Sequence, residues 1–144
     1  IIKDLDYELL IYTGPTDYFY DYKHGKLAYR SIDFKFETMD CEKYQEAPVV
    51  NYPNDYDFTR ITEFKQMTWQ EHKKTTILKE FPCSEGEPYY PFPTKECKEQ
   101  FALYQEEMKK ETKVHFLGRL AEYRYYNMDA VVRSALDLFE SLKK

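Results

Sequence analysis

The sequence predicts an α+β fold: a mainly antiparallel sheet with flanking helices, joined at both chain ends by strand and helix segments of an α/β domain. Three observations carry this. Turn-separated β patterns cluster in the middle of the chain with short links, as antiparallel strands require. Two apolar runs, ELLIYTG near the start and VHFLG near the end, are continuous rather than alternating, the pattern of strands in a covered sheet. Two longer stretches in the last third carry helical periodicity. The expected division is 1–24 as strand and short helix, 25–113 as the antiparallel-sheet region with a helix near 95–111, and 114–144 as a closing strand–helix segment.

Taken in order, YELLIYTGP is a strand buried on both faces, ended by Gly14-Pro15. TDYFYDYKHGK is a short helical turn stopped near Gly25. LAYRSIDFKFET alternates, with Ala28, Ile32, Phe34 and Phe36 on an apolar face that Arg30 shares. An unpartnered buried charge is costly, so Arg30 needs either an internal carboxylate or a ligand. APVVNYP and DFTRITEFKQM read as two more strands joined by a turn-rich link, the second placing Arg60 on the side of Phe58 and Phe64. TTILKEFP is a strand and SEGEPYYPFP a loop. Thr94 caps a helix over about Lys95–Glu111 with the stripe Cys97, Phe101, Tyr104 and Met108. A last helix follows Asn127, a favoured cap, with Met128, Val131, Val132, Ala135, Leu138, Phe139 and Leu142 as its buried face.

With 144 residues and 42% hydrophobic content, the chain is long enough to bury a core. A net charge of −5 without a Lys/Arg run argues against nucleic acid as a partner. No apolar run is long enough to insert in a membrane. Cys41, Cys83 and Cys97 form no CxxC pair, and the three histidines are scattered. Neither a disulfide scaffold nor a metal site is expected, and a reducing, cytoplasmic setting fits. The opening IIKDLDYELLIYTG has the character of an interior segment, which predicts a piece of a longer protein.

The four glycines are too dispersed for GxGxxG, and GxSxG, HExxH and P-loop signatures are missing. Fifteen tyrosines are unusual; each is a broad apolar surface with a polar tip, suited to a core or to a ring-shaped ligand. What remains is Arg30, Arg60 and Arg119 in or beside β segments, with Asn51, Tyr90, Tyr123, Tyr125 and Tyr126. Guanidinium forks and tyrosine hydroxyls cradle phosphate oxygens, and a helix N-terminus favours an anion. A set of structural ion pairs would give the same pattern.

Four segments, IYTGPTDYFYDYKHGKLAYRSIDFKFE, APVVNYPNDYDFTRITEFKQ, GEPYYPFP and FLGRLAEYRYYNMD, together resemble the C-terminal part of UDP-galactopyranose mutase. They follow that family's order over nearly the whole chain. The resemblance implies an isomerase that interconverts UDP-galactopyranose and UDP-galactofuranose, feeding cell-envelope polysaccharide synthesis, with reduced FAD whose N5 bonds the anomeric carbon as UDP leaves. Such chemistry asks the protein chiefly for positioning and electrostatics. By the same resemblance Arg60 meets the substrate pyrophosphate and Tyr90 and Tyr125 its phosphates. Asn51 lies near the substrate. Arg119, Asn127 and Met128 lie beside the flavin, with Arg30 as a support on the cofactor side.

Two departures accompany the match. The family usually has Asp where this chain has Asn127. The dinucleotide fingerprint and the helical region with uracil-stacking aromatics would lie upstream of Ile1. The isolated chain is therefore expected to be inactive and not to retain FAD, within a parent compatible with a homodimer. The alternative is a non-catalytic module that binds a nucleotide sugar or carbohydrate through its aromatics.

Overall fold

The computed structural model describes residues 5–92 and 94–143. Ile1–Asp4, the first residues of the opening segment, and Pro93 of the predicted loop lie outside them. The chain forms β1 (Leu10–Tyr12), α1 (Thr16–Phe19), β2 (Tyr29–Met39), β3 (Val49–Asn51), β4 (Arg60–Glu63), α2 (Phe64–Thr68), β5 (Thr75–Cys83), β6 (Tyr90–Pro91), α3 (Lys95–Met108), β7 (Val114–Phe116) and α4 (Met128–Leu142). These elements belong to two compact units, 1–29 with 88–144, and 30–87. The α+β class is as predicted.

In the first unit, β1 and β7 pair in parallel, Leu10 opposite Val114 and Tyr12 opposite Phe116. The long connection between them is what parallel pairing requires. Tyr12 packs with Val114 and Ala121, flanked by Phe19 and Phe116. The Thr16 hydroxyl donates to the Ala121 carbonyl at 2.5 Å, tying α1 to a residue 105 positions away. A second cluster joins Leu27, Phe101, Tyr104 and Tyr123. Tyr104 Oη donates to the Gly25 carbonyl at 2.6 Å and accepts the His24 N–H at 3.1 Å. Buried Asp17 accepts the Leu27 N–H at 2.9 Å, fixing the exit from α1. Helix α3 starts as predicted, with Thr94 Oγ1 accepting the Cys97 N–H at 3.2 Å. It ends at Met108, three residues before the expected Glu111, and continues as a turn through Lys109 and Lys110.

In the second unit, β2 runs antiparallel to β5 from Ser31 opposite Cys83 to Met39 opposite Thr75. Strand β4 pairs antiparallel with both β3 and β5, as the short links predict. Within this unit the sheet order is β3-β4-β5-β2. In the first unit, the short strand β6 replaces part of the predicted loop, and the following Phe92 N–H donates to the Ala28 carbonyl at 3.0 Å.

Several expectations are corrected. Strand β1 is not buried on both faces: Leu10 and Tyr12 turn to the core, and Ile11 between them is 47% exposed. The apolar face of β2 is open, with Phe36 65% exposed and stacked on Phe64 at 6.2 Å. DFTRITEFKQM is not one strand: it turns into α2 after Glu63. That side chain points inward and accepts the N–H groups of Tyr44 and Gln45 at 3.0 and 3.1 Å. Gln66, three residues on, also donates to Glu63 through its side-chain amide, which favours a turn over extended chain. Phe64 therefore does not share a strand face with Arg60. None of the residues of α4 is buried: Val131, Ala135 and Leu138 of its apolar stripe are half-buried, and Met128, Val132, Phe139 and Leu142 are exposed. Asn127 has the extended backbone of a cap, but its side chain makes no capping bond.

Candidate functional site

The predicted site residues fall into one group in each unit. In the second unit, the register of β3 on β4 sets Asn51 directly opposite Arg60, and β4 on β5 sets Arg60 opposite Glu80. Arg60 Nε donates to Asn51 Oδ1 at 2.9 Å. Its Nη1 lies 3.6 Å from Glu80 Oε1, a carboxylate with little exposure. The guanidinium is thus aimed by two neighbours while its own side chain stays 42% exposed. Arg30 is exposed on β2.

In the first unit the GRLAEYRYYNMD stretch forms a loop between β7 and α4. Gly118 has φ 97°, a conformation that strains any side chain. Tyr123 has φ 46°, rare for a large residue. Its hydroxyl reaches the carbonyls of Ala28 at 2.5 Å and Phe92 at 3.1 Å, and the ring is buried in the Leu27 cluster. Burial first, and then neighbouring Cys97, push the Tyr123 hydroxyl well above the ordinary tyrosine range, so it stays a proton donor. Tyr126 is also buried and shifted upward, by burial and by its bond to Glu122.

Of the three clustered tyrosines, Tyr125 alone faces out, at 66% exposure. Its ring centroid lies 6.0 Å from that of Tyr90 and 5.9 Å from the Arg119 guanidinium carbon. Arg119 is held from behind, Nε donating to the Tyr126 carbonyl at 2.7 Å. Asn127 and Met128 open α4 and are exposed, Met128 at 77%. The structure thus gathers Tyr90, Arg119 and Tyr125, with Asn127 and Met128 following directly in the chain. Tyr123 and Tyr126, singled out in the sequence, serve the core instead.

Two residues escaped the sequence reading. Glu80 faces Arg60 through strand register, which no local pattern reveals. Glu122 accepts the Gly118 N–H at 2.9 Å and the Tyr126 hydroxyl. Its spacing of four from both partners was the available signal.

A cradle of arginine, tyrosine and a helix start suits an anionic ligand with a ring. Comparison with known proteins gives this a frame. The family profile described as UDP-galactopyranose mutase matches residues 2–125. The chain is 37% identical over 142 residues to dTDP-fucopyranose mutase of Escherichia coli, covering 95% of this chain and 38% of that protein. It is 38% identical over 136 residues to a probable UDP-galactopyranose mutase of Klebsiella pneumoniae, covering 91% and 35%. It is 34% identical over 142 residues to the UDP-galactopyranose mutase of Mycoplasma pneumoniae (strain ATCC 29342 / M129 / Subtype 1), covering 92% and 36%. The chain spans little more than a third of the length of these relatives. With a family match over most of its residues, the chain belongs to the UDP-galactopyranose mutase family.

Proposed function

We propose that this chain is the C-terminal part of a flavin-dependent mutase that interconverts the pyranose and furanose forms of a nucleotide sugar, UDP-galactose first among them. The observation that supports it most is the outward Tyr125 beside Tyr90 and Arg119, in a loop whose other tyrosines are buried. The segments 1–24 and 114–144 then belong to an FAD-binding domain, in keeping with their parallel strands.

The residues present fit FAD and a diphosphate in their donor chemistry. Arg119 stands by the exposed start of α4, where the N–H groups of the first turn favour negative charge. Arg119, Asn127 and Met128 would hold the cofactor, and Arg30 is carried over as a support by the family resemblance alone. When bound and reduced, FAD would supply the nucleophile for the anomeric carbon. Arg60 neutralises the pyrophosphate as it departs and holds it for return, kept in aim by Asn51 and Glu80. By the family resemblance, Tyr90 and Tyr125 would donate hydroxyl bonds to substrate phosphates without themselves moving a proton.

The sugar is the open choice, because one relative at 37% identity is a dTDP-fucopyranose mutase. Pyrophosphate is common to both nucleotide sugars, so the residues above serve either. The test is incubation of the full-length protein, under reducing conditions, with UDP-galactopyranose and separately with dTDP-fucopyranose, followed by chromatography. Conversion of UDP-galactopyranose to its furanose isomer supports the reading. Conversion of dTDP-fucopyranose alone moves the substrate, and conversion of neither sinks the mutase reading.

A further inference from the structure

We infer that Glu122, acting with Tyr126, is a positioning residue that sets the pose of Arg119 toward the cofactor and of Tyr125 toward the substrate phosphates, an inference that rests on the mutase reading above. Glu122 Oε2 accepts two bonds, from the Gly118 N–H at 2.9 Å and from the Tyr126 hydroxyl. Gly118 immediately precedes Arg119, and Tyr126 immediately follows Tyr125. One carboxylate oxygen therefore ties the two ends of the segment that carries both ligand-facing side chains. The circuit closes through the Tyr126 carbonyl, which accepts Arg119 Nε at 2.7 Å.

The middle of the segment is secured separately. Tyr123, at its left-handed backbone position, is locked by its hydroxyl on Ala28 and Phe92 and by its buried ring. That anchor fixes where the loop sits. It leaves the ends free to splay, because Gly118 can rotate without steric cost. Glu122 removes this freedom with charge-assisted bonds, which are stronger than neutral ones. Ligand-holding groups lose much of their value when displaced by about an ångström, so an end-to-end tie acts on binding more than on the fold.

The test uses full-length protein carrying its flavin and measures the dissociation constant of UDP by calorimetry, with melting temperature in parallel. Glu122→Ala is expected to weaken UDP roughly 3- to 10-fold, within the range of coupled neighbours. Tyr126→Phe should have a smaller effect of the same sign, and Glu122→Gln should recover part of the loss because its amide oxygen still accepts. In protein already bearing Tyr125→Phe, Glu122→Ala should lose most of its effect on UDP while its effect on melting persists. An effect on UDP that is fully additive overturns the inference and leaves Glu122 a purely structural residue. If Glu122→Ala does not fold, the same cycle run with Tyr126→Phe decides. Unsubstituted protein that binds no UDP removes the mutase reading and this inference together, whereas additive cycles in a protein that does bind UDP remove the inference alone.

Discussion

Arg60 and Arg119 show two ways to aim a guanidinium. Arg60 sits in mid-sheet, where strand register puts Asn51 on one side and Glu80 on the other. Its direction is fixed by period-two alternation, and a slip of one residue would turn it to the opposite face. Arg119 sits in a loop and is aimed by a chain of contacts: Tyr126 behind it, Glu122 behind Tyr126, and Tyr123 rooted in the core. Their surroundings differ in the same sense. The first unit has two buried aromatic clusters laced by tyrosine hydroxyls onto distant carbonyls. The second combines ladder bonds with a small buried interior of Ile61, Ile77, Leu78 and the Glu63 carboxylate, while Phe36 stays open. A sheet positions a side chain through its backbone, so it needs little core beneath; a loop must borrow its rigidity from packing.

The largest expected effect tests the packed unit. Tyr104 is fully buried, and Tyr104→Ala should cost about 3–5 kcal/mol, as for other large aromatic truncations. Phe36→Ala on the open sheet should cost within about 0.5 kcal/mol, as ordinary surface changes do. Urea unfolding of the full-length variants compares them. Should Phe36→Ala prove as damaging as Tyr104→Ala, the sheet face is covered in the whole protein and the contrast falls.

Next is Glu63, wholly buried at 0% exposure. Burial alone would raise its carboxyl pKa, but donors from Gln66, Tyr44 and Gln45 hold it below the ordinary range. Glu63→Ala strands the part-buried Tyr44 and Gln45 N–H groups and should cost roughly 2–4 kcal/mol, the lower part of about 1–3 kcal/mol for each. The lowered pKa places this stabilisation above the usual carboxylate range, and it should fade as pH falls below it. Melting at pH 7 and pH 3 measures both effects, and a pH-independent loss would contradict the ionised state.

Arg60→Ala follows, losing charge-assisted bonds worth ~1.5–3 kcal/mol, or roughly 10- to 100-fold in kcat/KM of the full-length enzyme. Asn51→Ala should act in the same direction but more weakly, since Glu80 still steadies the guanidinium. Tyr125→Phe should also cost less than Arg60→Ala, because the ring stays. Unchanged kinetics for Arg60→Ala would remove the pyrophosphate role.

The smallest effect concerns the surface of α3. Hydrogen bonds from Lys23 and Lys110 pull the Glu107 carboxyl from 4.5 down to about 2. Its contribution is therefore present above pH 4.5 and lost as pH falls from there toward 2. Solvent and salt screen such a pair. Glu107→Gln should flatten this part of the melting-temperature profile slightly, and a profile identical to that of the unsubstituted chain would show that the pair contributes nothing.

The sequence by itself determined the α+β class, the antiparallel middle, the Thr94-capped helix and the family, because these rest on local periodicity, cap chemistry and an ordered set of motifs. It named Arg60, Arg119, Tyr90 and Tyr125, since residue type and motif suffice for that. Only the tertiary structure decided which tyrosines face outward. Tyr123, Tyr125 and Tyr126 are chemically alike, and a left-handed turn at Tyr123 sorts them into two buried and one exposed. Only the tertiary structure placed α2, because the inward Glu63 collects donors from a loop some 18 residues away. It also decided that the apolar stripe of α4 is only half covered here, since periodicity marks a face to be covered but not what covers it.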